Sequence, residues 1–221
     1  MPFKIFISKN PSEVGQLNAD LSEQEVVLEA KSFLYFEPVA FRIDSEFDVL
    51  FFSSPRSVTF FMSQYAIPRN KVIACVGQKT ETLLKSLSCQ PEFVGTSSDP
   101  RVIGEEFALW LNKRTVLFPL SDISKKTIFN CVAEDQRMEV VAYSTKKQSI
   151  ELQKFDCYVF TSPSNVDAFF ASGNKIENSL IIAWGASTSG ELSKHNIEHE
   201  VLKEPSMHCL KEFLQNKNII K

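Results

Sequence analysis

The stretch DVLFFSSPRSVTFF (48–61) comes back later in the chain as DCYVFTSPSNVDAFF (156–170). A constant offset of 108 carries the first copy onto the second without a gap. Asp48 meets Asp156, Phe52 meets Phe160, Ser54 meets Ser162, Pro55 meets Pro163, Val58 meets Val166 and Phe61 meets Phe169. Downstream the same offset pairs Ile73 with Ile181, Gly77 with Gly185, Thr80 with Thr188, Leu84 with Leu192 and Glu92 with Glu200. The shared punctuation is strand, Ser-Pro turn, helix, strand, Gly turn, helix, strand. Two structurally equivalent lobes follow from it.

VLFF (49–52) and CYVF (157–160) are short apolar runs bounded by Asp before and by Ser-Pro after. Such runs suit strands of a parallel sheet buried on both faces. Past each Pro the apolar residues take helical spacing: Val58, Phe61, Met62 and Tyr65, then Val166, Phe169 and Phe170. KVIACVG (71–77) and LIIAWG (180–185) are the next strands, each closed by Gly, and helices such as KTETLLKSL (79–87) follow. Strands alternating with helices over short links imply βαβ units.

The rest of the chain fits the same plan. KIFI (4–7), TVLFPL (115–120) and HEVLKE (199–204) read as strands. RVIGEEFALWL (101–111), a segment through Ile128 and Val132, and a segment marked by Met207, Leu210 and Leu214 read as helices. FLYFEPVAFRI (33–43) and MEVVAYST (138–145) are β-rich and flank the first copy. The first strand has no partner near it in sequence, so it pairs with the second copy. The predicted class is α/β, with two flavodoxin-like lobes, each a parallel sheet flanked by helices. One lobe is discontinuous, 1–32 plus 147–221; the other is 36–142. The connectors are 33–35 and 143–146, a two-stranded link expected to act as a hinge beside a cleft.

Bulk properties remove several function classes. Apolar residues make up 43% of the 221, including nineteen Phe, which is ample for packed cores. The net charge of −3 gives no electrostatic support for nucleic-acid binding. No apolar run approaches the ~18 residues that span a bilayer, and the N-terminus turns polar after one short strand, unlike a signal peptide. The five cysteines are widely spaced, odd in number and without a CxxC pair, so free thiols in a reducing cytoplasm are expected. GxGxxG, Walker A and GxSxG are all missing from the sequence. His195 and His199 are four apart, but Asn196-Ile197-Glu198 reads as a loop, so no metal site is expected even with His208 and Cys209 nearby. Cys131 reads as core.

In a parallel α/β sheet, ligands sit beyond the carboxyl ends of the strands. Ser53-Ser54-Pro55 and Thr161-Ser162-Pro163 fall there and read as helix starts, with a hydroxyl cap and Pro at the first helical position. Free amides at such starts, backed by the helix dipole, suit carboxylates or phosphates. Gly77 and Gly185 bring backbone close to a ligand, and Thr80 and Thr188 are placed to cap the helices that follow. The copies differ in charge: Arg56 and Lys79 stand where the second copy has Ser164 and Ser187. The first copy is therefore expected to hold more of a polyanion's charge, with Lys9 as a third cation.

This arrangement resembles the uroporphyrinogen-III synthases of tetrapyrrole biosynthesis. The likeness rests on F-x-S-P-x-x-V-x-x-F twice, on the turns CVGQKT and AWGAST, on VVAYST, and on the terminal HEVLKEPSMHCLKEFL. It spans nearly the whole chain, and the order and spacing of the motifs carry it. The resemblance implies a lyase without metal or organic cofactor. Linear hydroxymethylbilane, a polycarboxylate, would lose its terminal hydroxyl. Its last pyrrole ring would be inverted through a spirocyclic intermediate, and the macrocycle would close as uroporphyrinogen III. It also implies Tyr143, in VVAYST, as the catalytic proton donor. Ser8, Lys9, Ser53, Ser54, Arg56, Gly77, Lys79, Thr80, Ser121, Thr161, Ser162, Ser164, Asn165, Gly185 and Thr188 complete the expected substrate contacts. Two departures stand out: Ser8-Lys9 where the family commonly has Thr-Arg, and Leu120-Ser121-Asp122 where it often has Gly. A cytoplasmic monomer in transient contact with hydroxymethylbilane synthase is expected. The alternative is a non-catalytic bilobal module that binds or senses small anions.

Overall fold

A computed structural model describes residues 2–22 and 25–220; positions 1, 23, 24 and 221 of the predicted discontinuous lobe lie outside the described residues. The chain divides into two units, Met1–Tyr35 with Lys146–Lys221, and Phe36–Thr145.

The first unit opens with β1 (Phe3–Ile7), a 3-10 turn (Pro11–Glu13), α1 (Gly15–Ser22) and β2 (Val26–Ala30). β3 (Leu34–Pro38) carries the chain into the second unit and ends at Pro38, which is tolerated because β3 is an edge strand. The second unit then runs β4 (Val49–Phe52), α2 (Pro55–Met62), β5 (Val72–Val76), α3 (Gln78–Ser86), β6 (Phe93–Gly95), α4 (Pro100–Leu111), β7 (Val116–Ser121), α5 (Thr127–Asn130) and β8 (Arg137–Lys147). Back in the first unit come β9 (Cys157–Phe160), α6 (Pro163–Ala171), β10 (Leu180–Ala183), α7 (Ala186–Lys194), β11 (Glu200–Val201) and α8 (Met207–Asn216).

The sheet of the first unit has the order β11-β10-β9-β1-β2, with every pairing parallel. That of the second has the order β3-β8-β7-β4-β5-β6. Its inner pairings are parallel. β3 is antiparallel to β8, because Val39 N bonds Ala142 O while Gln148 N bonds Phe33 O, so one strand ascends as the other descends.

The two sheets share one plan, and the repeat explains why. β4 and β9 each begin after an Asp whose carboxylate binds the amide opening the neighbouring strand. Asp48 takes Thr115 N at 2.8 Å and Asp156 takes Lys4 N at 2.8 Å. β1 is therefore to β9 what β7 is to β4, and the opening strand pairs with the second copy. The offset of 108 also carries α2 onto α6 and α3 onto α7 at their first residues.

Phe-rich layers fill both units. Phe6, Phe33, Phe155, Tyr158, Phe160 and Phe169 pack on one face of the first sheet, and Phe51, Phe107 and Phe118 on one face of the second. On the latter face α4 meets α5 so closely that a Cβ on Gly104 would fall 2.5 Å from Cys131 Sγ. Cys131 is a packing residue there.

Three elements are shorter than the sequence predicts. β11 keeps only two residues, as an edge strand pairing Ile182 and Ala183. β3 covers five residues of 33–43. The helix expected through Val132 ends at Asn130, where Arg137 Nη1 takes the carbonyl of Phe129 at 3.0 Å and the chain turns back into β8.

Candidate active site

Each sheet has a point where the chain stops adding strands on one side and resumes on the other. In the second unit it lies between β4 and β7, in the first between β9 and β1. Crevices at such points, beyond the strand ends, are the usual ligand sites of open α/β sheets.

In the second unit the crevice is open. The β4–β7 ladder ends at Leu50 and Leu117, and Pro119 sits just beyond, where no amide is needed toward β4. A cavity of about 280 Å³ occupies this end. Its floor includes Phe51, Phe118 and Ile103, and its rim includes Ser53, Ser97 and Lys125. Ser54 caps α2: its Oγ accepts Ser57 N at 3.2 Å, and Pro55 follows. The Arg56 amide finds no acceptor among the described residues, as expected two positions into a capped helix. The Arg56 side chain is exposed and lies over the Phe36 ring, 3.5 Å from its centroid. Lys79 is exposed near the start of α3, and neither cation has a carboxylate partner among the described residues.

Gly77 caps α3 with φ +76°, a conformation that favours glycine. The Thr80 amide donates back to the Gly77 carbonyl and the Thr80 side chain is buried, so Thr80 anchors the turn from inside and does not cap it by side chain. The amides of Gln78 and Lys79 at this start find no acceptor among the described residues.

In the first unit the crevice is closed by hydrogen bonds. Ser8 Oγ accepts Thr161 N at 2.8 Å, and Thr161 Oγ1 donates to Ser8 O at 2.7 Å. Ser162 caps α6 and accepts from both the amide and Nδ2 of Asn165. Asn165 Nδ2 also donates to Ser8 O, and its Oδ1 accepts Phe33 N at 2.8 Å. Ser8 and Asn165 are buried, and their polar atoms are spent on the protein. They tie β1, α6 and the crossing chain at Phe33 together. Ser164, half-buried, keeps its amide without an acceptor among the described residues. Gly185 starts α7 in extended conformation with open space where a Cβ would stand. Thr188 matches Thr80: buried, with its amide on the carbonyl of Gly185. Lys9 pairs with Glu13 at 3.4 Å, so its charge is partly compensated.

Tyr143 lies on β8, opposite Ser121 at the end of β7. Its ring stacks on Phe60 of α2, with centroids 4.9 Å apart, and meets the edge of Phe36 at 6.2 Å. Its hydroxyl bonds to none of the described residues, and none of their buried side-chain oxygens lacks a partner, so the hydroxyl reaches the surface. Asp122 does not stand free beside it: Oδ1 accepts Thr145 N at 2.9 Å.

Sequence reasoning missed the aromatic pair Phe36 and Phe60 and the rim segment at Ser97. The rim carried a signal, since Asp99-Pro100 is the same capped, Pro-led helix start as Ser54-Pro55. His195 and His199 part ways. His199 bonds Ser189 Oγ and Ile197 O, each at 2.7 Å. His195 stacks on Phe170 and lies with Asp167 and Glu191, three groups that could hold a metal ion. Lys147 occupies Asp167 and Lys194 occupies Glu191, so that cluster is already neutralised.

Comparison with known proteins decides the family. The model described as uroporphyrinogen-III synthase HemD matches residues 25–210. The chain belongs to the uroporphyrinogen-III synthase family. Family members are lyases of tetrapyrrole biosynthesis. A uroporphyrinogen-III synthase of Chlorobaculum parvum is 29% identical over 185 residues, 72% of this chain and 75% of that relative. Two solved structures show the fold. The uroporphyrinogen-III synthetase of Helicobacter pylori has TM-score 0.72 at 19% identity, covering 98% of this chain and 100% of that one. A mutant uroporphyrinogen III synthase of Thermus thermophilus has TM-score 0.61 at 12% identity, covering 98% of each.

Proposed function

We propose that the chain converts hydroxymethylbilane into uroporphyrinogen III, with loss of water and inversion of the terminal pyrrole ring. The family match over residues 25–210 carries this reading. The geometry supports it in kind: a polycarboxylate substrate suits helix starts that leave amides unpaired, repeated at equivalent strand ends in both units.

The substrate's charge is shared unevenly. Arg56, Lys79 and the amides opening α2 and α3 take more of it in the second unit. In the first, the amides at Ser164 and behind Gly185 take less. The closed network of Ser8, Thr161, Ser162 and Asn165 shapes the first unit's surface for that task. The cavity beside Ser53 and Ser97 accepts an apolar pyrrole face over Phe51 and Phe118.

Loss of hydroxide leaves an electron-poor terminal ring that cyclises unaided, but to the wrong isomer. The enzyme's main contribution is to hold the chain so that the ring closes at the substituted carbon. Tyr143 donates a proton to the departing hydroxyl. The hydroxyl of a ring clamped by Phe60 reaches the surface, which supports that role. The five free thiols suit a reducing cytoplasm, where the chain acts as a monomer in transient contact with the enzyme that delivers hydroxymethylbilane.

The test is incubation with enzymatically generated hydroxymethylbilane, oxidation, and separation of the isomers. Enrichment of type III supports the reading; a product mixture identical to the protein-free control overturns it.

A further inference from the structure

Asp122 is an oddity, an acid at the strand end where a polyanion is proposed to bind. Its bonds show another use. In an unbroken β7–β8 ladder, Leu120 opposite Val141 would be followed by Ser121 opposite Ala142. Ser121 instead pairs with Tyr143, so β8 carries an extra residue at Ala142. A bulge of this kind re-aims every side chain after it, because strand side chains alternate. Before the bulge, Met138 and Val140 pack with Val58 and Phe61 on the face covered by α2. Strict alternation would put Tyr143 on the opposite face. After the bulge it stacks on Phe60, again on α2.

The extra residue must be held, since a ladder without it keeps more regular bonds. Two contacts of Asp122 bracket the shifted segment. Its amide donates to Tyr143 O at 3.1 Å, and its Oδ1 accepts Thr145 N at 2.9 Å. The second bond matters most, because β7 has ended at Ser121 and offers Thr145 no further strand carbonyl. We infer that Asp122 is a positioning residue: its carboxylate locks the Ala142 bulge and thereby aims the Tyr143 hydroxyl. This rests on the proposed proton-donor role of Tyr143, and it accounts for an acid whose carboxylate is occupied by backbone.

The experiment uses the full chain labelled with 3-fluorotyrosine. Of four tyrosine fluorine signals, the one lost in Tyr143→Phe belongs to Tyr143. In Asp122→Ala that signal moves while the other three stay, and kcat falls by up to about a hundredfold with KM little changed, as misplacement of a reacting group allows. Asp122→Asn keeps Oδ1 as an acceptor and restores both the signal and kcat. A Tyr143 signal that stays put in Asp122→Ala, or an Asn variant as displaced as the Ala one, overturns the inference. A displaced and rescued signal with unaltered kcat upholds the positioning and removes the proton role from Tyr143 instead.

Discussion

The ring of Phe60 lies on that of Tyr143, centroids 4.9 Å apart and planes inclined by only 17°. Both residues belong to the second unit, so the contact is internal to one sheet and one helix. An aromatic stack is worth about 0.5–1.5 kcal/mol beyond its buried area. Phe60→Ala is therefore expected to release the Tyr143 ring and lower kcat by about two- to tenfold, with Phe60→Tyr close to the parent. Steady-state kinetics on the three proteins checks it.

Asn165 offers a contrasting outcome. Its amide serves Phe33 N, Ser8 O and Ser162 Oγ inside a buried network. Removing it orphans several of these groups, at about 1–3 kcal/mol for each one left unpaired. Asn165→Ala should lose about 2–4 kcal/mol of stability in a urea melt. A loss of substrate affinity with unchanged stability would mean that Asn165 contacts substrate directly.

The paired glycines separate backbone need from ligand need. Gly77 has φ +76°, so Gly77→Ala carries strain of about 1–3 kcal/mol. Gly185 is extended, with nothing within 4 Å of an added Cβ. Gly185→Ala should keep the parent's melting temperature yet weaken substrate binding, because the methyl takes up open space that a substrate carboxylate would enter. Thermal melts and KM on both variants check the pair.

Two groups give the stability a pH profile. Asp48 is held below the usual carboxyl range, first by the Thr115 amide and then by its hydroxyl. A depressed folded-state pKa means its contribution is present above the unfolded value of about 4 and fades as pH falls through the folded one. The stability gap between the parent and Asp48→Ala should narrow below about pH 4. Burial pushes the Cys75 thiol up to about 11 and the Cys157 thiol up to about 12. Those two neutral thiols stabilise the fold fully below the ordinary thiol range, and that contribution is lost as pH rises toward these values. At pH 8 a disulfide-exchange reagent should leave Cys75 and Cys157 unreacted in the native protein and reach all five thiols only after unfolding.

Much of this was legible in the sequence because it is written in short-range chemistry. Asp48 and Asp156, the Ser-Pro starts and the Gly turns are local signals, and the offset of 108 ties them into one plan. The pairing of β1 with β9 followed from that plan, though partners such as Ile5 and Cys157 are far apart in the chain. What stayed hidden depends on register and on distant neighbours. Nothing local marks the extra residue at Ala142, since a bulge exists only relative to the opposing strand. The roles of Phe36 and Phe60 depend on where α2 and β3 lie about Tyr143. Ser8 and Asn165 read as ligand-facing polar residues because sequence cannot reveal that their polar atoms are already taken. Nor does the sequence show that the Asp122 carboxylate is taken by Thr145 N.

The central claim is that these helix starts steer one polyanion to one ring closure. The direct measurement is the type III to type I ratio of uroporphyrinogen formed from hydroxymethylbilane as the protein concentration rises. The account predicts a ratio that climbs until type III dominates. A ratio that stays at the protein-free value at every concentration, from a chain that is fully folded, would contradict it.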